Sequence, residues 1–147
     1  MNMTEATGAH AVERVADDLA IRNLVARLAQ LADTCGPDEL DEYVGLFTED
    51  ASWEMPGNER RGRTDILQGA RERRSSGQQG PGTNTRHIIT TQAIRFEGPD
   101  TAVSDSYFMF VADTKTTPTI RLMGHYRDLV QREADTWRVA RRQITPG

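Results

Sequence analysis

The chain has 147 residues, 37% of them apolar and 27% charged, with 18 basic against 22 acidic side chains for a net charge of −4. That length suits one domain able to bury a single core. The acidic balance argues against nucleic-acid binding, which calls for a basic surplus on one face, and no apolar run approaches the roughly 20 residues needed to span a bilayer.

Residues 1–12 are polar and unpatterned and are expected to form a disordered tail ahead of one domain over 13–147. They lack the basic and apolar regions of a signal peptide, and the single cysteine, Cys35, has no internal partner, so a cytoplasmic location is expected. From Val15 to Cys35 the positions Leu19, Leu24, Val25, Leu28, Leu31, Ala32 and Cys35 recur on one helical stripe, and Gly36-Pro37 ends that helix. Asp38 can cap a short second helix carrying Leu40, Tyr43, Val44, Leu46 and Phe47.

Ala51 to Met55 reads as a short strand stopped by Pro56-Gly57, and Thr64 or Asp65 can cap a third helix that runs to about Arg74. The next ten residues, SSGQQGPGTN, hold three glycines, one proline and no apolar side chain, which predicts a mobile loop. Four strands follow, over Thr85–Phe96, Thr101–Ala112, Thr119–Arg132 and Thr136–Ile144, with connections short enough for antiparallel neighbours. The sum is an α+β domain in which three N-terminal helices cover one face of a curved, mostly antiparallel sheet and enclose a pocket.

Several segments, in this order, carry a resemblance: Ala20-Ile21-Arg22-Asn23-Leu24, Ala32-Asp33-Thr34, Tyr43 to Ala51, Arg86-His87, Gly124 to Asp128, and Trp137-Arg138-Val139. Over residues 15 to 144 the chain resembles the nuclear transport factor 2-like superfamily and, within it, the SnoaL-like group, whose relatives include scytalone dehydratase, bile acid 7α-dehydratase and hexachlorocyclohexane dehydrochlorinase. The resemblance implies a cone-shaped α+β barrel with its pocket between the bent sheet and the helices. It also implies that Asp33 and His87 take the places of a helix aspartate and a strand histidine that work as a catalytic pair in those enzymes. Chemically, a carboxylate on one imidazole nitrogen fixes the tautomer and raises the basicity of the other, so the pair could take a proton α to a carbonyl or vicinal to a leaving group. No metal or cofactor is expected.

The residues read alone leave other meanings open. On an ideal wheel Asp33 lies about 140° from the centre of the apolar stripe, the place of a solvated residue, and a carboxylate there opposes the helix dipole. His87 could equally be a satisfied core or loop-edge histidine. Period-2 alternation puts Asp105, Tyr107 and Met109 on one face of their strand and Ser104, Ser106, Phe108 and Phe110 on the other. By the resemblance Asp105 lies near a pocket aspartate and Tyr107 near a second pocket histidine of relatives, so Asp105, Tyr107 and Met109 are expected to contact substrate. A surface pairing of Asp105 with an arginine is the competing reading. Trp53 and Met55 are expected at the pocket mouth and Trp137 in the core. Arg141 and Arg142 point to opposite faces, so one of them could reach a substrate anion.

Tyrosines that serve the dehydratases on the first helix are replaced here by Leu28, Ala29 and Ala32. Two functions of different class therefore stand. One is a cofactor-independent lyase or isomerase, dehydratase- or cyclase-like, that uses Asp33 and His87 on a small apolar cyclic molecule, with polyketide cyclisation as a variant. The other is a non-catalytic ligand-binding or assembly module of the same fold, of which an accessory dioxygenase subunit is one form. A homodimer or higher homo-oligomer is expected through the convex sheet face, with Phe108 and Phe110 exposed on it.

Overall fold

A computed structural model describes residues 3–147. The first element, α1 (Met3–Thr34), is a single 32-residue helix, so the stretch expected to be a tail is helical from Met3 onward. Ala6, Ala9, Ala11, Glu5 and Glu13 favour a helix, and with neither Pro nor a terminal Gly before Gly36 nothing stops it. Burial picks out Ile21, Leu24, Val25, Leu28, Leu31 and Ala32, while Leu19, placed on the stripe by periodicity, is more than half exposed together with Val12 and Val15.

Next come α2 (Asp41–Gly45), β1 (Phe47–Met55), β2 (Asn58–Arg61) and α3 (Gly62–Ser75). Phe47, read as the end of the second helix, instead opens β1, and β2 is an added strand that pairs antiparallel with β1 across Pro56-Gly57. The Asp65 carboxylate accepts the main-chain N–H of Arg61 at 2.9 Å and so caps the start of α3. The remaining strands are β3 (Arg86–Phe96), β4 (Thr101–Ala112), β5 (Thr119–Glu133) and β6 (Thr136–Pro146), within two residues of the expected bounds.

The six strands form one sheet in the order β2-β1-β6-β5-β4-β3. Every pairing is antiparallel except that of β1 with β6, which is parallel. Register shifts interrupt four of the pairings, and in β3 the shift falls at Thr91, which has φ 51. Such bulges bend strands, and here they curl the sheet around the helices. The sheet stays open, with β2 and β3 at its edges. The helices lie on the concave face, and between them and the sheet sits one core that includes Ile21, Leu28, Leu40, Phe47, Ile66, Val130 and Val139.

The segment between α3 and β3 is a loop, as its glycines require, but it is packed down. Gln79 and Gly80 are buried, and Thr83 Oγ donates to the Gly80 carbonyl at 2.7 Å. A polar sequence concealed this, because the buried parts are main chain and an amide side chain.

Candidate active site

The side chain of Asp33 is only 5% exposed, although helical periodicity points it away from the main apolar stripe. The start of β3 passes over that second flank of α1 and brings His87 to it. Asp33 Oδ1 accepts His87 Nδ1–H at 2.7 Å, and the main-chain N–H of His87 donates to both carboxylate oxygens at 3.1 and 3.2 Å. A carboxylate that accepts at Nδ1 keeps the ring proton on that nitrogen and leaves Nε2 as the basic one. The imidazole is 11% exposed and tilts against Phe110, with ring centroids 4.8 Å apart.

The His87 ring borders a cavity of about 180 Å³ walled from nearly every element. Leu28, Ala29 and Ala32 come from α1, Tyr43 from α2, Trp53 and Met55 from β1, and Arg73 from α3. Gln78 and Gln79 come from the loop after α3, Phe108 and Phe110 from β4, Leu122 and Tyr126 from β5, and Arg142 and Ile144 from β6. Asp33 is not a wall residue and stands behind the imidazole. Trp53 and Met55 thus border the cavity, and the Arg73 guanidinium lies 4.5 Å over the Trp53 ring.

Asp105, Tyr107 and Met109 do not border it. Their strand turns Ser104, Ser106, Phe108 and Phe110 inward, so the expectation that the first three contact substrate and that the two phenylalanines form the outer surface is corrected on both counts. Both faces of β4 carry aromatic or long apolar groups, and alternation alone does not say which set meets the helices. On the outer face Asp105 accepts from Arg127 Nε at 2.8 Å and from His125 Nε2 at 3.0 Å. Arg127 foremost, against a smaller cost of burial and with help from His125, holds the Asp105 carboxyl below the ordinary carboxylate range. Tyr107 is 53% exposed.

The cavity wall also holds a buried cation, which the sequence left open between two arginines. Arg142 points inward, and its guanidinium meets the fully buried Asp128 in a two-pronged pair at 2.8 and 2.9 Å. Arg141 points outward to Glu54. Burial alone would weaken the Arg142 charge, but Asp128 beside it more than offsets this and the cation is retained. The guanidinium lies 4.0 Å over the Tyr126 ring, and that ring stacks on Phe108 with centroids 4.2 Å apart. Burial pushes the Tyr126 hydroxyl far above an ordinary phenol, so it enters the site as a proton donor. Phe108 reaches this stack because position 124 on the neighbouring strand is glycine: a Cβ there would come within 2.4 Å of its ring.

Among the described residues no three His, Cys, Asp or Glu side chains converge to hold a metal ion, and no helix is long and apolar enough to cross a membrane.

No protein of curated function matches the chain. Solved structures share the fold. A Mycobacterium tuberculosis protein of unknown function is 24% identical with a TM-score of 0.78, over 93% of this chain and 75% of that one. A provisionally assigned scytalone dehydratase from Novosphingobium aromaticivorans is 19% identical with a TM-score of 0.74, over 93% and 88%. A Catenulispora acidiphila protein in complex with the small molecule S-DNPA is 22% identical with a TM-score of 0.74, over 90% and 94%. The SnoaL-like domain model matches residues 13–143, nearly the whole chain. With that match, and with the curved sheet and its helix-lined cavity, the chain belongs to the SnoaL-like domain family.

Proposed function

We propose that the protein is a cofactor-independent lyase or isomerase that takes a proton from a small, largely apolar cyclic substrate, with His87 as general base and Asp33 as the carboxylate that orients it. The observation that carries this reading is the 2.7 Å contact between Asp33 and His87 Nδ1 beside an aromatic-walled cavity. His87 Nε2 accepts a proton from carbon α to a carbonyl, and the electron pair moves onto the carbonyl oxygen. The Arg142 guanidinium and the Tyr126 hydroxyl, both held in the buried wall, are donors to that oxyanion in a low-dielectric setting. In isomerisation the imidazolium returns the proton to another carbon. In elimination the electron pair expels a β-hydroxyl, which takes the proton and departs as water.

A cavity of about 180 Å³ accepts roughly ten non-hydrogen atoms at interior packing density, or one to two fused rings. The matching test is deuterium wash-in from D2O at the α-carbon of 2-tetralone, 2-indanone and cyclohexanone, followed by proton NMR. Exchange with at least one ketone is expected to be about 10²-fold faster with the wild-type chain than with His87→Gln. Equal rates for the two proteins with all three ketones would refute proton abstraction by His87. The small apolar side chains Leu28, Ala29 and Ala32 in the α1 wall favour a second reading, a ligand carrier with the same cavity. Saturable ketone binding without any exchange would select it.

The protein is further proposed to act as a homodimer in the cytoplasm, where its lone cysteine stays reduced. The outer face of the sheet carries exposed Ile88, Tyr107, Ile120 and Met123 beside the mixed charges of Asp105 and Arg127, a self-complementary surface. Sedimentation of the wild-type chain at micromolar concentration is expected to give a dimer and that of Met123→Glu a monomer; a wild-type monomer would exclude this.

A further inference from the structure

Arg74 is an arginine buried without an acidic partner. It is 8% exposed, and among the described residues no carboxylate lies within ion-pair distance of it. Its donors all go to main-chain carbonyls: Nε to Cys35 at 2.8 Å, one terminal nitrogen to Ala70 at 2.9 Å, and the other to Ala32 at 3.0 Å and Leu31 at 3.4 Å. Three of those carbonyls belong to the last turn of α1 and the residue just past it. The last four carbonyls of a helix have no partners within it, and together they form its negative pole. α1 has no basic residue of its own in that turn. The cation comes from α3 instead.

That same turn carries Asp33, whose own peptide bond supplies the Ala32 carbonyl bound by Arg74. A carboxylate at a helix C-terminus is repelled by the pole it sits on, and β3 has buried this one. Arg74 removes the conflict in two ways. It satisfies the Ala32 and Cys35 carbonyls, Leu31 being already bound by the Cys35 N–H at 3.0 Å, and this fixes the main chain from which the Asp33 side chain springs. It also sets a positive charge where the helix pole and the carboxylate would otherwise be two negative neighbours. Burial pulls the Arg74 guanidinium below its ordinary value, while the Tyr43, Cys35 and Asp33 groups act in the opposite sense.

The loop over α3 is shaped to keep this cation in place. Gly80 has φ 105, a conformation that side chains rarely adopt, and a Cβ there would come within 2.9 Å of Arg74 Cγ. The glycine lies flat on the arginine stem and shuts it from water.

We propose that Arg74, sealed in by Gly80, is the positioning residue of the Asp33–His87 pair: by capping the end of α1 it holds the carboxylate in register with the imidazole. This inference rests on the proton-transfer reading for its purpose but not for its test, which needs no substrate. The full chain labelled with 15N-histidine is observed by NMR, with the His87 Nδ1–H signal identified by its loss in His87→Gln. In the wild-type chain that proton is expected to be protected from exchange with water.

In Arg74→Met exchange should quicken about tenfold, the scale of one cation at a partly buried helix C-terminus, and in Gly80→Ala, which pushes the arginine stem off its seat, by several-fold. Arg74→Lys should fall between, and added guanidinium should restore protection to Arg74→Ala. Gly80→Ala and Arg74→Lys keep the charge, so they remain informative if Arg74→Met does not fold. Unchanged protection in these variants, or no protected proton in the wild-type chain, would overturn the proposal. A protected proton that depends on Arg74 in a protein with no ketone exchange would instead leave the positioning role standing and refute only the proposed chemistry.

Discussion

One carboxylate holds His87 at two points: Asp33 accepts from the imidazole Nδ1 at 2.7 Å and from the main-chain N–H of the same residue at 3.1 and 3.2 Å. Ring and backbone are therefore fixed to a single group on α1: the imidazole cannot flip without losing the Nδ1 bond, and the residue cannot drift along β3 without losing the main-chain ones. The curl of β3 over the end of the helix and the tautomer of the histidine are set by the same contact.

Replacement of Asp33 by Asn is accordingly expected to cost as much as loss of the base. An amide can accept from the main-chain N–H or from the ring, but it no longer stabilises an imidazolium, and its NH2 group favours the wrong tautomer. Ketone exchange should fall by about 10²-fold or more in Asp33→Asn and in His87→Gln. The double variant should be no slower than the worse single one, because groups that act as a unit are not additive. Additive losses would mean the two side chains work separately.

Gly124→Ala tests the aromatic wall. The new methyl would lie 2.4 Å from Phe108 Cε1 and 3.0 Å from the Thr145 carbonyl, so the phenylalanine has to leave its stack on Tyr126. Overpacking of this kind costs about 1–3 kcal/mol, to be read as a lowered denaturation midpoint at unchanged slope. Phe108→Leu in the same chain should recover part of the loss, since the leucine presents no ring edge to the new methyl. A Gly124→Ala midpoint equal to that of the wild type would show that the strand pair relaxes freely there.

The contrast between Asp33 and Asp105 shows what the sequence revealed and what it hid. Strands β3 to β6 could be read because β-branched and aromatic residues alternate between clear turn residues, and Gly36-Pro37 marked the end of α1. Asp33 could not be read from its helix, where the wheel sends it to solvent; only the family resemblance singled it out. Its burial depends on the path of β3, a long-range event that local periodicity does not contain. Asp105, which the resemblance sets near the pocket, instead meets Arg127 and His125 on the outer face. Its strand has two equally plausible faces, and only the packed helices decide between them. Arg74 lay unnoticed in a run of arginines because its partners are carbonyls, which leave no mark in a sequence.

Asp17 should make stability depend on pH at the acid end. Burial alone would raise its pKa, but Arg132 donates to it at 2.7 Å and Trp137 Nε1 at 3.1 Å, and these bonds outweigh burial and leave the carboxyl below its ordinary value. A group whose pKa falls on folding stabilises the fold above its unfolded pKa and loses that contribution as pH drops through the folded one. Asp17→Asn should thus melt below the wild type at neutral pH. The gap should close as pH falls below about 4. A gap that stayed constant down to pH 2 would assign the effect to packing of Trp137 rather than to charge.

The buried pair in the cavity wall makes the sharpest claim on stability. Asp128 is fully enclosed and spends both oxygens on Arg142, whose cation no other described carboxylate contacts. Removal of one partner leaves the other charged in a low-dielectric interior, so Asp128→Asn should destabilise the fold by about 3–5 kcal/mol. Replacement of both, as Asp128→Leu with Arg142→Met, removes the charges together and is expected to recover most of that loss, since such a pair seldom outperforms apolar residues of similar volume. The recovered protein would still lack the Arg142 guanidinium in the cavity wall, and its ketone exchange should stay low while its melting temperature returns. If activity returned along with stability, Arg142 would serve the fold and not the oxyanion.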